Sequence, residues 1–271
     1  MPIVLSRDGT KIAYNLRGRG DPLALIMGFS AAGRAWGEPF LQLIERQFQT
    51  VVIDNRGTGD SDKPDRPWTL KDMADDIAAV LDHAGVQRSN IFGISMGGMI
   101  AQEFVLHHPA RVRGLVLGCT NCGASHSIPA PMEAVANLMP NPQLSPLEQA
   151  ERALSVASSK EWRESPQGQA FLAEFMADAA SYPLPPMHTY VRQMGAIQGF
   201  DSFARLGEIK TPTLVVAGDA DLLIPVKNSE ILNQGIAGSK VHILKGAGHV
   251  FNWEQPETTA EIVNGFLKNV R

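Results

Sequence analysis

Cysteine is scarce in this chain: Cys119 and Cys122 are the only two in 271 residues. Two cysteines do not make a four-ligand zinc site alone, and a chain this long does not need a disulfide scaffold. Their Cys-x-x-Cys spacing admits a redox reading, but a pair of small buried residues after a strand is the plainer one. A reducing, cytoplasmic compartment fits this usage. No apolar run reaches the ~18 residues of a membrane helix, so no membrane span is expected. The opening "MPIVLSRDGTKIAY" lacks a basic region followed by a long apolar core, so no signal peptide is expected. Positive charge is not in excess: 24 Lys and Arg face 28 Asp and Glu, a net charge of −4, which gives no hint of nucleic-acid binding. No two histidines stand at helical ligand spacing with a third ligand nearby, so no metal is expected. There is no internal repeat and no low-complexity tract.

What is present is a globular composition, 44% hydrophobic and 19% charged, in a chain long enough for one α/β domain with an inserted lobe. "IVLSRDGTKIAYNLRG" reads as a hairpin turning at Asp8-Gly9. "PLALIMGF" is a short apolar strand, "FLQLIERQF" is helical, and "TVVIDNRGTGDSD" is a strand running into a glycine-rich loop. Thr69 caps a helix with Asp72 three residues on; Leu70, Met73, Ile77, Val80, Leu81 and Ala84 share its apolar face, and Gly85 ends it. "SNIFGI", "MGGMIAQEFVLHH" and "VRGLVLGC" continue as strand, helix and strand.

The alternation breaks near Gly123 and resumes at "TPTLVVAGD", a gap too long for a loop and helical in pattern. Ser145-Pro146-Leu147-Glu148 is a capping box, Ser165-Pro166 opens a second helix, and Met187, Tyr190, Val191 and Met194 form a third stripe. A helix near Val226 to Gln234, the strand "KVHILK" and a helix from about Pro256 to Val270 follow. The expected fold is therefore α/β: a mostly parallel sheet with helices on both faces and antiparallel strands added by the hairpin. Residues 1–123 and 208–271 would form the core, and 124–207 a helical cap over one end of the sheet. Ligands of such sheets bind outside the carboxyl ends of the strands.

Ser95 stands at one such end. Gly93-Ile94-Ser95-Met96-Gly97 fits Gly-x-Ser-x-Gly between a strand and a helix, a sharp turn that displays the serine hydroxyl. The pattern in this setting, with Gly98 added, resembles an α/β-hydrolase with a helical cap, and the resemblance covers nearly the whole chain in order, weakest in the cap. "DNRGTGDSD", Asp54 to Asp62, is similar to the family's loop after the strand preceding the capped helix, a loop that is usually structural.

The resemblance implies a Ser, acid, His order for the triad. An alcohol is a weak nucleophile and needs a base. Only His242 and His249 follow the resumed strand. His242 lies inside "KVHILK", whereas His249 lies in the loop "KGAGHVFNW" and is expected to be the base. The family's Gly-x-x-Asp-x-x-x-Pro pattern aligns Gly218, Asp221 and Pro225, which favours Asp221 over Asp219 as the orienting carboxylate. The oxyanion donors implied are the backbone N–H groups of Met96 and Phe29. The family usually carries His-Gly before the second donor; here Met27-Gly28 stands in its place.

His126, at the cap entrance, is either a substrate contact or a surface histidine. Phe171, Phe175, Tyr190 and Met194 either line an apolar acyl pocket or are cap core. The resulting reading is a cofactor-free serine hydrolase of a small, largely apolar ester or lactone, with no nucleic-acid or membrane partner. The sequence carries no reading of oligomeric state. A serine at position 95 argues against the haloalkane dehalogenases and epoxide hydrolases of this fold, which use aspartate there. Hydrolysis of a carbon–carbon bond in a diketone and cofactor-free perhydrolysis fit the same triad. A non-enzymatic small-molecule receptor on this scaffold is the reading from a different class.

Overall fold

A computed structural model describes residues 1–179 and 184–270. Eight strands form one sheet: β1 (Ile3–Leu5), β2 (Lys11–Gly18), β3 (Asp21–Ile26), β4 (Phe48–Ile53), β5 (Ser89–Ile94), β6 (Val112–Gly118), β7 (Thr213–Gly218) and β8 (Lys240–Leu244), in the order β1-β2-β4-β3-β5-β6-β7-β8. β1 and β2 pair antiparallel, as do β2 and β4; every pairing from β4 through β3 to β8 is parallel. The all-buried patterns of β5 and β7 are what central parallel strands covered on both faces require.

Helices α1 (Glu38–Glu45), α2 (Leu70–His83) and α3 (Met96–His107) fall among the first six strands. Between β6 and β7 the chain runs through α4 (Met132–Leu138), α5 (Pro146–Ala157), α6 (Lys160–Arg163), α7 (Pro166–Ala179) and α8 (Met187–Gln198). Then come α9 (Lys227–Gly235), α10 (Phe251–Glu254) and α11 (Pro256–Leu267). One core packs α2 and α3 on the sheet, with Ile77, Leu81, Ile100 and Phe104 fully buried. The other packs α1 and α11 on the opposite face through Phe40, Ile44 and Val263. Thr69 caps α2 in a capping box with Asp72, and Gly9 takes φ 83° at the hairpin turn, as the sequence predicts.

Boundaries differ in three places. Phe48, expected at the end of a helix, opens β4 because its ring is needed in the α1–α11 core. The last helix starts at Pro256 as expected but ends at Leu267, and the short α10 forms within the expected loop before it. The short helices α4 and α6 have no apolar stripe long enough to announce them. Of the expected cap, residues 180–183 lie outside the described residues, as does Arg271 of the expected core. No helix among the described residues is long and apolar enough to cross a membrane.

The helices between β6 and β7 rest on loops at the carboxyl ends of the strands. Gln193 on α8 bonds the loops after β3 and β4, through Ser30 and Arg56. Val250, in the loop after β8, donates its amide to Ala157 O at the end of α5 (3.0 Å). Asn228 of α9 exchanges two bonds with the backbone of Ile128 (2.8 and 2.9 Å).

Candidate active site

β5 ends in a sharp turn into α3. Ser95 has φ 58° and ψ −123°, a conformation a side chain rarely adopts. The turn is fixed by Ser95 N–H donating to Gly118 O (2.9 Å) and Thr120 Oγ1 donating to Ser95 O (2.7 Å). The glycines are explained by contact: a Cβ on Gly97 would stand 2.1 Å from Ile26 O, and one on Gly93 2.1 Å from Gly97 O. Ser95 is the one residue from Ile91 to Ile100 that is not buried, and its hydroxyl makes no hydrogen bond among the described residues.

Because β5, β6, β7 and β8 are neighbours in that order, Ser95, Cys119, Asp221 and His249 follow their carboxyl ends in sequence along one edge. His249 Nδ1 lies 2.7 Å from Asp221 Oδ2. Asp221 Oδ1 accepts the amides of Leu223 (2.8 Å) and Ile224 (2.9 Å), so the carboxylate is held at both ends. Asp219 instead accepts from Gly246 N–H at 2.7 Å, a bond within its own pair of loops. Burial opposes charge on His249, but the adjoining Asp221 carboxylate outweighs it and lifts the imidazole well above its ordinary value.

Cys119 sits under this pair. It is fully buried at φ 33°, and its thiol donates to His249 O at 3.4 Å. Burial pushes that thiol's pKa up, which keeps it neutral. Cys119 and Cys122 are both free and buried. Among the described residues, Cys119, Asp221 and His249 are the one group of metal-ligating side chains close enough to share an ion, with ligand atoms within 4.8 Å of one another. The direct Asp221–His249 bond gives the carboxylate and the imidazole a role without one.

The loop after β3 closes the other side. A Cβ on Gly28 would lie 2.9 Å from Ser95 Cβ and 3.4 Å from its Oγ, so this loop runs directly against the serine. The amides of Phe29 and Met96 donate no hydrogen bond among the described residues. Below the loop, Asn55 Nδ2 donates to Met27 O at 2.8 Å; Met27 itself is a buried apolar side chain.

The remaining candidates separate. Tyr190 is buried and meets Phe29 edge-on, with ring centroids 5.6 Å apart. Met194 is partly buried on the same helix. Phe171 packs on Trp253 (4.4 Å) and Phe175 stacks beside Phe171 (6.1 Å) with its own ring partly exposed. His126 is exposed and stacks on Phe203 at 3.8 Å. Neither His126 nor the Phe171–Phe175 pair makes a hydrogen bond or ring contact with Ser95, Asp221 or His249 among the described residues. Sequence reasoning missed Cys119, Gln193 and Glu254. Glu254 accepts from Gly248 N–H (2.9 Å) and from the Ser159 hydroxyl (2.6 Å), tying the His249 loop to α6.

Residues 21–256 match the model of a family described by its alpha/beta hydrolase fold. The chain belongs to that α/β-hydrolase family and is a hydrolase of its fold. It is 28% identical to a putative carbamate hydrolase, RutD, of Azorhizobium caulinodans, over 95% of each chain. It is 30% identical to a poly(3-hydroxyalkanoate) depolymerase of Ectopseudomonas oleovorans, over 86% of this chain and 80% of that one. Among solved structures it resembles Est816, described as an N-acyl homoserine lactone degrading enzyme, with 31% identity, a TM-score of 0.82, and 98% of this chain and 100% of that chain covered.

Proposed function

We propose that this protein is a serine hydrolase of small, largely apolar esters or lactones, working through an acyl-enzyme. The observation that carries this reading is the Asp221–His249 bond of 2.7 Å on the same sheet edge as the strained, partly exposed Ser95. Ser95 Oγ attacks the carbonyl carbon while His249 Nε2 takes its proton. The carbonyl electron pair moves onto oxygen and is met by the N–H groups of Phe29 and Met96. Collapse of this intermediate breaks the bond to the leaving oxygen, which takes the proton from His249. Water then repeats the sequence on the acyl-enzyme, releasing the acid and restoring Ser95.

Two further features support the reading. Leu223, which follows Asp221 by two residues, packs with Ala134, Val156 and Ala157 of the inserted helices and with Val250, next to His249, an apolar wall suited to an apolar acyl or lactone ring. The chain's similarity to a lactone-degrading enzyme and to a depolymerase of a polyester points to the same carbonyl chemistry. In this reading residues 124–207 act as a cap on a core formed by 1–123 and 208–271.

The test is a panel of esters of rising acyl length, lactones and diketones, assayed with wild type and Ser95→Ala, beside labelling with a fluorophosphonate. Turnover of esters or lactones with the adduct on Ser95 is expected. Ser95→Ala should retain only a residual rate, roughly 10³–10⁴-fold over water in the well-studied serine-protease case. An adduct mapped elsewhere, or a preference for diketones over every ester, would overturn the assignment.

A further inference from the structure

The loop that runs against Ser95 is anchored from both the core and the inserted helices, and it turns on itself through Ala31 N–H to Gly28 O at 3.3 Å. From the core, Asn55 holds Met27 O. From the inserted helices, Gln193 Oε1 accepts the amide of Ser30, the residue after Phe29, at 2.7 Å. The other end of that side chain, Nε2, donates to Arg56 O at 3.2 Å in the loop after β4. Gln193 has no exposed surface, and Ser30 is held at φ 57°, a left-handed conformation that a non-glycine residue adopts only under constraint. α8 also packs closely on the loop after β4: Thr189 Cγ2 stands 2.6 Å from where a Cβ on Gly57 would be, so only glycine leaves room for the helix there.

We infer that Gln193 is a positioning residue for the oxyanion site: by fixing the Ser30 amide it sets the direction of the Phe29 N–H toward the carbonyl oxygen on Ser95. The inference rests on the serine-hydrolase reading above. Its consequence is that α8 serves the chemistry and not only access. Lifting this helix away would release the Phe29–Ser30 peptides, so substrate must enter without moving α8 off the loop, and any opening falls to the other inserted helices.

A merely structural Gln193 would dock α8 and nothing more, so the test reads transition-state stabilisation separately from binding. Gln193→Leu keeps the volume and removes both bonds. Its kcat should fall about 10–100-fold, part of the 10²–10³ that loss of an oxyanion donor costs, with KM within a few-fold. Affinity for a boronic acid that forms a tetrahedral adduct on Ser95 should fall by the same factor. Ester binding measured in a Ser95→Ala background should be unchanged by adding Gln193→Leu. Gln193→Glu supplies the rescue: a buried carboxyl facing Arg56 O keeps its proton, donates there, and still accepts from Ser30 N–H. Its kcat should lie between those of wild type and Gln193→Leu. The inference is overturned by a folded Gln193→Leu enzyme with wild-type kcat, or by a loss confined to KM with boronate affinity intact. Should Gln193→Leu not fold, a Gln193→Glu enzyme whose boronate affinity is unchanged while its kcat is reduced overturns it as well. Ser95→Ala run in parallel separates the two failures: full activity there removes the serine-hydrolase reading itself, whereas its loss beside a normal Gln193→Leu removes only the role of Gln193.

Discussion

Asp221 meets His249 at 2.7 Å and anchors its second oxygen on two amides of its own loop, while Asp219, two residues earlier, is bonded to Gly246 and not to the histidine. Both carboxylates follow β7, yet only one can orient an imidazole. In Asp221→Asn the side-chain oxygen would stay with the amides of Leu223 and Ile224, so the NH₂ group would face Nδ1 and favour the wrong tautomer. Turnover should fall by roughly 10⁴, as in the serine-protease precedent, with little change in Tm. Asp219→Asn should cost about 1 kcal/mol of stability and leave turnover within a few-fold. Turnover and melting of both variants decide this, and the reverse pattern would give the role to Asp219.

The same bond sets a pH dependence. Burial disfavours the imidazolium of His249, but Asp221 outweighs burial and raises the pKa well above the ordinary 6.5. A base must be unprotonated, so kcat/KM should climb with pH along a limb lying above that value. The limb should move to lower pH in the residual activity of Asp221→Asn. The sign for stability follows from a raised folded-state pKa. The stabilisation is complete below the pKa of an unfolded histidine and is lost as pH rises through the folded value. Comparing the Tm of wild type and Asp221→Asn across that window checks it, and a difference that grows with pH would contradict it.

Stability has a separate centre in the loop after β4. Arg56 is almost fully buried and grips Asp76 through Nε (2.6 Å) and Nη2 (2.7 Å), with Asp8 on Nη1 at 3.0 Å. Removing one partner of a buried pair leaves a desolvated charge, so Asp76→Ala should cost about 3–5 kcal/mol in denaturant unfolding. Arg66→Ala removes an exposed ion pair to the same Asp8 and should cost at most about 1 kcal/mol. Equal costs would show that the burial of Arg56 is not what matters.

Cys119 and Cys122 look alike in sequence and should behave differently. Cys119 touches the His249 backbone and lies within 4.8 Å of the groups on Asp221 and His249, whereas the sulfur of Cys122 faces Ser127 at 4.0 Å. Cys119→Ala should lower turnover several-fold and stability by about 1–3 kcal/mol, from a cavity and an unpaired carbonyl. Cys122→Ala should affect stability alone. Kinetics and melting of the two single variants distinguish them, and identical kinetics would show that the contact of Cys119 with His249 has no bearing on turnover.

Much of this was legible in sequence because it is local. The apolar strands, the Thr69 capping box, and the glycines around Ser95 each reflect constraints within a few residues. Pairing Asp221 with His249 needed more: loop position narrowed the choice, and the family pattern supplied the rest. The illegible parts are contacts that only folding makes. Gln193 reaches Ser30 across 163 residues and Cys119 reaches His249 across 130. Neither residue type announces such a bond, since a glutamine on a helix is ordinarily a solvated residue. His126 shows the converse. Its position after β6 suggests the site, but Phe203 offers a stacking face, and the histidine takes it.

Gly28 offers the most direct probe of the wall opposite His249. Its backbone φ is not in the left-handed region, so alanine is conformationally acceptable there; the obstacle is space. The new methyl would lie 2.9 Å from Ser95 Cβ and 3.3 Å from Ile94 O. Ser95 cannot retreat, because its turn is locked by Gly118 and Thr120, and β5 lies behind it. The loop must therefore move away by a few tenths of an ångström or more, carrying the Phe29 amide with it. Oxyanion donors act over hydrogen-bond distances, and misplacing a reacting geometry by ~1 Å can cost on the order of 10²-fold. Gly28→Ala should accordingly lose about 10–100-fold in kcat with a modest change in Tm. The same methyl set at Gly195, on α8, meets nothing within 4 Å, so Gly195→Ala should leave kcat unchanged. A Gly28→Ala enzyme with wild-type kcat would show that the loop after β3 does not supply the second donor.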